Sequence, residues 1–442
     1  MPGKKPSSGP KRRRVCIVTG TRAEFGLLVP VMDAIKKRKD LELQVVAAGA
    51  HFLKPARTIR EVEAKYTIAA RVPMQMQGKT GRDADAAALG RGVEGFARAF
   101  KRLKPDWVVV LGDRIEAFAA ASAASIAGIA VCHIHGGDRA EGIADEAMRH
   151  AITKLSHLHC AATKLSAERI RKMGEKPEHV HVTGSPAIDG LSKVKPMGDG
   201  EAAKYGDPRV IILLHPSGHL HGETVRFRPR VLQDHFGPDM PRLPRSVPFA
   251  AYERAERTFA AFTYFATTCL PDEPLLGTCR NAGLTACGGN GPRGLFLHPN
   301  ADPGGDQILE KWQANSRFCG WPVVPHIPRH AFVSLLKRMA QKKRGLMVGN
   351  SSAGLIECAA LGVPALNLGP RQAGRERTRN VVDADPLDTI GVIGRVRAAD
   401  RLAGKLPRST HFGDGRAGPR IAALLAKTNP HDPGLLRKRN SY

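Results

Sequence analysis

Acids and hydroxyls recur just behind short apolar runs, and they fall into two groups. In the first half of the chain Asp113, Arg114 and Glu116 follow "WVVVL", His135 lies in "IAVCHIHGG", and Asp138 comes directly after it. Asp145 and Glu146 then head a helix-patterned stretch ending in "MRHAITKLSH". Carboxylates gathered at one sheet edge raise one another's pKa, which is what proton transfer near neutral pH requires. Taken singly, Asp145 also has a plainer reading, as a helix N-cap with Arg149 as its i+4 partner. "TGTRAEFG" adds Arg22 beside a glycine turn and a helix start whose free N–H groups can hold phosphate oxygens. It is neither a G-x-G-x-x-G turn nor a lysine-bearing phosphate loop, so neither nicotinamide nor ATP is expected.

The second group lies in "VGNSSAGLIECAALGVPALNLGPRQAGRERTRN", residues 348 to 380. Ser351 and Ser352 open a helix behind an apolar strand, Glu357 follows within two turns, and Arg371 and Arg375 stand in the loop beyond. Small hydroxyl donors, a helix start and guanidiniums within reach of one another suit an anionic ligand. The plainer alternative leaves the serines as caps and the arginines in a solvated loop. His-x-His pairs at 133/135, 157/159, 179/181 and 219/221 would each put two rings on one face of a strand. No third ligand recurs with them, so no metal is expected.

The elements that must position these groups alternate in kind. "VCIVTG", "LELQVVAAG", "ARVPM", "WVVVLGD", "IAVCHIHGG", "LHCAAT" and "VHVTGSP" are strand-like, with amphipathic stretches such as Glu24 to Lys37 and Asp83 to Lys101 between them. Residues 189 to 208 break the rhythm, which restarts with "RVIILLHPSG", "GLFLHPN", "GLMVGNSS" and "PALNLG". Such alternation predicts α/β architecture with parallel sheets, and 442 residues suffice for two domains. Two Rossmann-like domains facing across a cleft are expected. The expected divisions are a disordered basic tail over 1–14, a first domain over 15–190, a linker over 191–208, a second domain over 209–412 and a helical tail over 413–442. Residues 228–276, rich in proline and aromatics and without a βα rhythm, read as an insertion in the second domain.

Lys and Arg outnumber Asp and Glu by 68 to 41, giving a formal net charge of +27. That excess alone would suit nucleic acid, a membrane surface or an anionic metabolite. The basic N-terminal run lacks the aromatics of a single-strand binder, and no apolar run approaches the roughly 20 residues a bilayer needs. Neither nucleic acid nor membrane is expected as partner. Eight scattered cysteines without a C-x-x-C pair fit reduced thiols in a cytoplasm.

The blocks "VTGTRAEFGLL", "VVVLGDRIE", "HIHGGD" followed by "DEAMRHAITKLSHLH", "TGSPAIDGL", "LLHPSG", "HPNADPG", "GNSSAGLIECAALGVPALNLGPRQAGR" and "FGDGRAGPRIAALL" stand in an order that resembles the hydrolysing UDP-N-acetylglucosamine 2-epimerases of sialic and legionaminic acid synthesis. The resemblance spans Val15 to the C-terminus apart from the suspected insertion. It implies the GT-B arrangement, and conversion of UDP-N-acetylglucosamine, or a 4-acetamido-6-deoxy analogue, and water to N-acetylmannosamine or its analogue and UDP, without metal or other cofactor. A homodimer or homotetramer is expected. The resemblance makes Asp113 and Asp145 the acid and base, and sets His215 toward the leaving diphosphate. Ser351 and Ser352 would hold that diphosphate with Arg371 and Arg375 near it, and Glu357 would accept from the ribose hydroxyls. Arg22, Glu116 and Asn300 would complete the substrate site. Some relatives have "HIEGGE" where this chain has "HIHGGD", which leaves His135 and Asp138 as candidates for the second proton transfer. A non-hydrolysing epimerase and a GT-B glycosyltransferase are the alternatives.

Overall fold

The computed structural model describes residues 12–54, 57–140, 146–216, 224–226, 246–248, 294–299, 305–325, 327–385 and 389–440. The chain divides into two compact units, one of 1–139, 145–192 and 412–442 and one of 140–144 and 193–411.

In the first unit, β1 (Arg13–Thr19), β2 (Leu41–Ala48), β3 (Ile68–Val72), β4 (Trp107–Leu111), β5 (Ala130–Ile134), β6 (Leu158–Ala161) and β7 (Val180–Val182) form a wholly parallel sheet in the order β3-β2-β1-β4-β5-β6-β7. Alternate residues of β1, β4 and β5 feed separate cores, as with Val15 and Ile17 on one face of β1 and Cys16 and Val18 on the other. Both faces are therefore covered, and this is why the strands read as unbroken apolar runs. The strand order reverses between β1 and β4, and in such sheets ligands bind outside the carboxyl ends of the strands at that point.

The C-terminal segment returns to this unit. Its helix Ala417–Lys427 places Ile421 and Leu425, both fully buried, in the same core as Leu28, Val31 and Ile35 of helix Arg22–Lys36. Truncating Ile421 or Leu425 to alanine should cost about 2–5 kcal/mol, more than a loosely attached tail would lose.

The end of the basic N-terminal run corrects the expectation of a tail over 1–14. Arg13 and Arg14 belong to β1 in register with Leu41 and Glu42, and the Arg12 guanidinium donates to the Leu41 carbonyl. Arg13 donates to the carbonyls of Leu425, Ala426 and Thr428, at the C-terminal end of helix Ala417–Lys427 where cations are favoured. Residues 1–11 lie outside the described residues.

In the second unit, β8 (Val210–Leu213), β11 (Gly294–Leu297), β12 (Val323–Val324), β13 (Leu346–Gly349), β14 (Ala365–Leu368) and β15 (Val381–Ala384) form a second parallel sheet, ordered β12-β11-β8-β13-β14-β15. Its reversal falls between β8 and β13. Two short antiparallel strands, β9 (Thr224–Arg226) and β10 (Ser246–Pro248), pair separately. Both units are thus α/β and Rossmann-like, as expected. Apart from Ser246–Pro248, the expected insertion 228–276 lies outside the described residues.

The stretch expected as linker is partly ordered into the second unit. Residues Asp199–Ala203 are helical, Met197 donates to the Ser334 carbonyl, and Arg338 binds the Met197 carbonyl and the Asp207 carboxylate. A Pro- and Gly-rich stretch lacks periodicity because these contacts go to helix Arg329–Gln341 and not to a repeat of its own.

Candidate active site

In the first unit, the carboxyl ends of β4 and β5 are joined through one arginine. Arg149, on helix Glu146–Leu155 and 1% exposed, forms an ion pair with Asp113, reaches Glu146 at 2.9 Å and donates to the Asp138 carbonyl at 2.9 Å. A guanidinium can serve three oxygens because its donors are fixed in a planar fork. Arg149, which in the sequence stands out only as a possible partner of Asp145, is therefore the hub of the acidic group. Its i+3 spacing from Glu146 is the one sequence signal of that role. Asp145 lies outside the described residues.

His135 and Asp138 form a second cluster beside it. His135 has φ +65°, in the left-handed region that non-glycine residues seldom occupy. Its Nδ1 meets Asp138 Oδ2 at 3.0 Å and its Nε2 meets Ser185 Oγ at 2.9 Å. The carboxylate can only accept, so Nδ1 carries the proton there. The other Asp138 oxygen accepts from Ser166 at 2.8 Å. The shorter acid at this position thus keeps both oxygens occupied, and Ser166 and Ser185 are partners that the sequence does not single out.

His133, two residues before His135, is buried and neutral, its pKa pushed down to about 3 by burial. Its Nε2 donates to the Gly112 carbonyl at 2.8 Å and its Nδ1 lies 3.2 Å from Thr153 Oγ1. His157 Nδ1 accepts from the Val131 amide, and His159 pairs with Glu175. These rings bind neighbouring protein groups, which accounts for three members of the His-x-His pairs.

At the β1 end of the same edge, Glu116 is fully buried, with Oε1 accepting from the Ala50 amide at 3.3 Å and from Gln75 at 2.6 Å. Gly20 makes room for it: a Cβ there would stand 2.5 Å from the Glu116 Cβ. Glu24 lies close by, accepts from the Gly20 amide at 2.9 Å, and has its pKa raised to about 8 by burial, with Glu116 adding to the rise. Glu24 stands in the "TGTRAEFG" block but carries no sign in the sequence of being buried. Arg22 is half-buried at the start of helix Arg22–Lys36.

In the second unit the β8 and β13 ends are tied by Asn350. Its Oδ1 accepts from the His215 amide at 2.7 Å and its Nδ2 donates to the His215 carbonyl at 2.8 Å. The Asn350 carbonyl in turn accepts from Gln372 at 2.8 Å and Arg371 at 3.2 Å. One fully buried residue thereby fixes His215, the serine loop and the arginine loop together. Gly349 permits the approach, since at φ +141° a Cβ would stand 1.9 Å from the Leu213 carbonyl oxygen.

Ser351 caps the following helix by accepting from the Ala353 amide at 3.4 Å, and Ser352 is its first residue. That helix is only Ser352–Leu355, and a second, Glu357–Leu361, starts after Ile356. Glu357 is buried and takes a 2.8 Å bond from Arg329. Arg375 is half-buried, and its carbonyl accepts from Arg377 at 2.9 Å. Asn300 lies outside the described residues.

A family model described as UDP-N-acetylglucosamine 2-epimerase matches residues 33–233 and 282–426 and passes over much of the stretch that reads as an insertion. A UDP-N,N'-diacetylbacillosamine 2-epimerase (hydrolyzing) of Legionella pneumophila is 30% identical over 436 residues, covering 97% of this chain and 100% of that protein. A UDP-N-acetylglucosamine 2-epimerase of Neisseria meningitidis is 29% identical over 409 residues, covering 91% of each. Among solved structures, UDP-GlcNAc 2-epimerase from Neisseria meningitidis bound to UDP-GlcNAc matches with a TM-score of 0.68 at 17% identity, over 94% of this chain and 100% of that one. With two Rossmann-like units, acids gathered around Arg149 and a serine loop at the second sheet's switch point, the chain belongs to the UDP-N-acetylglucosamine 2-epimerase family.

Proposed function

We propose that the protein is a hydrolysing 2-epimerase, acting on UDP-N-acetylglucosamine or a 4-acetamido-6-deoxy analogue to give free N-acetylmannosamine, or its analogue, and UDP. The observation that carries this reading is the Arg149-centred group of Asp113, Asp138 and Glu146 at one sheet edge. The hydrolysing type is supported by the name of the Legionella pneumophila relative, which spans nearly the whole chain.

The chemistry divides into two halves. In the first, a carboxylate takes the C2 proton while the bond from C1 to the diphosphate oxygen breaks, leaving a glycal and UDP. In the second, water adds its oxygen at C1 and a proton arrives at C2 on the opposite face, which inverts that carbon. Asp113 and Asp145 are assigned as the acid and base. His135, oriented by Asp138 and Ser185, is assigned to the second proton transfer.

In the second unit, Ser351, Ser352 and the amides behind them are assigned to the diphosphate, with Arg371 and Arg375 supplying positive charge. His215 is assigned to the leaving group and Glu357 to the ribose hydroxyls, with Arg329 setting its orientation. Arg22, Glu116 and Asn300 are assigned to the rest of the substrate. A cytoplasmic setting suits a UDP-sugar and the buried free thiols of Cys16, Cys132, Cys160 and Cys358. The product class is the precursor of sialic or legionaminic acids.

A proton NMR time course with UDP-N-acetylglucosamine in deuterated water tests the reading. Free N-acetylmannosamine carrying deuterium at C2, together with UDP, is the expected outcome. Accumulation of UDP-N-acetylmannosamine would replace it with the non-hydrolysing reaction, and retention of the C2 proton would remove the elimination step.

A further inference from the structure

Lys438 stands five residues beyond Pro433, the start of the last helix Pro433–Leu436, and is half-buried against the first unit. Its ammonium donates to the carbonyls of Thr153, Lys154 and Ser156, at the C-terminal end of helix Glu146–Leu155. It also lies 2.8 Å from Glu175, a buried carboxylate that His159 and Lys154 approach as well. Lys154 in turn donates to Asn440 at 2.8 Å, so the tail is held by two side chains. A cation at the last carbonyls of a helix satisfies orphan acceptors and complements the negative end of its dipole.

The same helix controls Asp113 in two ways. Through Arg149, in its first half, it supplies the cation of the Asp113 carboxylate. Through Thr153, in its last turn, it meets His133 Nδ1, and His133 Nε2 holds the carbonyl of Gly112, the residue immediately before Asp113. A shift of the helix along its axis would therefore move both the counterion and the backbone of Asp113. Lys438 bonds the very end of the helix that would have to slip.

We propose that Lys438 is a positioning residue: the C-terminal segment clamps helix Glu146–Leu155 so that Arg149 and His133 hold Asp113 in its working position. The proposal rests on the reading of Asp113 as acid or base. Because the clamp is a structural statement as well, it can be tested apart from that reading.

The experiment compares the full chain with Lys438→Met. Turnover of UDP-N-acetylglucosamine should fall about tenfold while KM and UDP affinity stay within about twofold. In an Asp113→Asn background the same change should cost less than about twofold, because the residue it acts through is already disabled. Amide hydrogen exchange should quicken over 147–155 and stay unchanged over helix Arg22–Lys36. Turnover within about twofold of the parent, or the full loss persisting beside Asp113→Asn, would overturn the proposal. If Lys438→Met does not fold, Lys438→Gln, which keeps amide donors without the charge, carries the same comparison. If the parent turns over no UDP-sugar, the functional reading fails and exchange alone decides: unchanged rates over 147–155 would then dismiss the clamp.

Discussion

Asn350 grips the backbone of His215 on both sides, accepting from its amide at 2.7 Å and donating to its carbonyl at 2.8 Å. The two residues stand at the ends of β8 and β13, where the strand order of the second sheet reverses. Asn350→Ala removes both bonds and leaves two backbone groups to find other partners. The expected loss is about 1–3 kcal/mol in denaturant unfolding, with weaker UDP binding by calorimetry. Asn350→Asp should be harmed similarly, since a carboxylate can accept from the amide but cannot donate to the carbonyl. An unaltered midpoint and UDP affinity in both variants would leave the latch without consequence.

Asp113→Asn keeps the shape of the side chain but cannot take a proton. Turnover should drop by about 100-fold or more while UDP affinity is retained. Arg149→Met should hurt in a different manner, because it leaves Asp113 and Glu146 without their shared cation and frees the Asp138 carbonyl. Stability should fall along with activity there, and Arg149→Lys should not restore it, since an ammonium cannot reproduce the fork. Kinetics and thermal melts on the same three preparations separate the cases.

Stability should depend on pH from two directions. Glu24 has a folded pKa raised to about 8 against an ordinary 4.5, so its contribution is full below 4.5 and is lost as pH rises through 8. His133, held down to about 3, and His51 and His157, held down to about 4, behave oppositely. Their folded forms are neutral, so stability is present above 6.5 and is lost as pH falls toward these values. Unfolding free energies measured between pH 5 and 9 should therefore rise up to about pH 6.5, where three histidines outweigh one glutamate, and decline from there to about pH 8, and Glu24→Gln should flatten that decline. A parent curve level over the alkaline half would show that Glu24 is ionised in the folded protein.

Much of the fold is legible in the sequence because both sheets are buried on two faces. Eleven of the apolar runs that read as strands, from "VCIVTG" to "PALNLG", coincide with strands of the two parallel sheets. The exceptions have physical causes. Val323–Val324 is too short to show a pattern, and Val381–Ala384 has an aspartate third in a run of four. At the site, strand-end positions of Asp113, His135, His215 and Ser351 are visible because a glycine or a polar residue stops each run. What holds them is not visible. The bond from Asn350 reaches 135 positions back, and Arg149 meets an acid 36 positions earlier, so no local period could announce either.

The serine loop gives the last prediction. Ser351 caps its helix through the Ala353 amide at 3.4 Å, a long bond that contributes little, and Ser352 opens a helix of a single turn. Capping alone therefore gives a weak reason for two hydroxyls in succession, and a loss of stability of about 1 kcal/mol or less is expected when both become alanine. Binding should respond more strongly. A hydrogen bond to a charged group contributes about 1.5–3 kcal/mol, so losing one or two should weaken UDP by at least tenfold. Uridine, which lacks the phosphates, should lose nothing. Calorimetry with UDP and with uridine on the double variant makes the comparison within one protein: equal effects on the two ligands would return both serines to the role of helix caps.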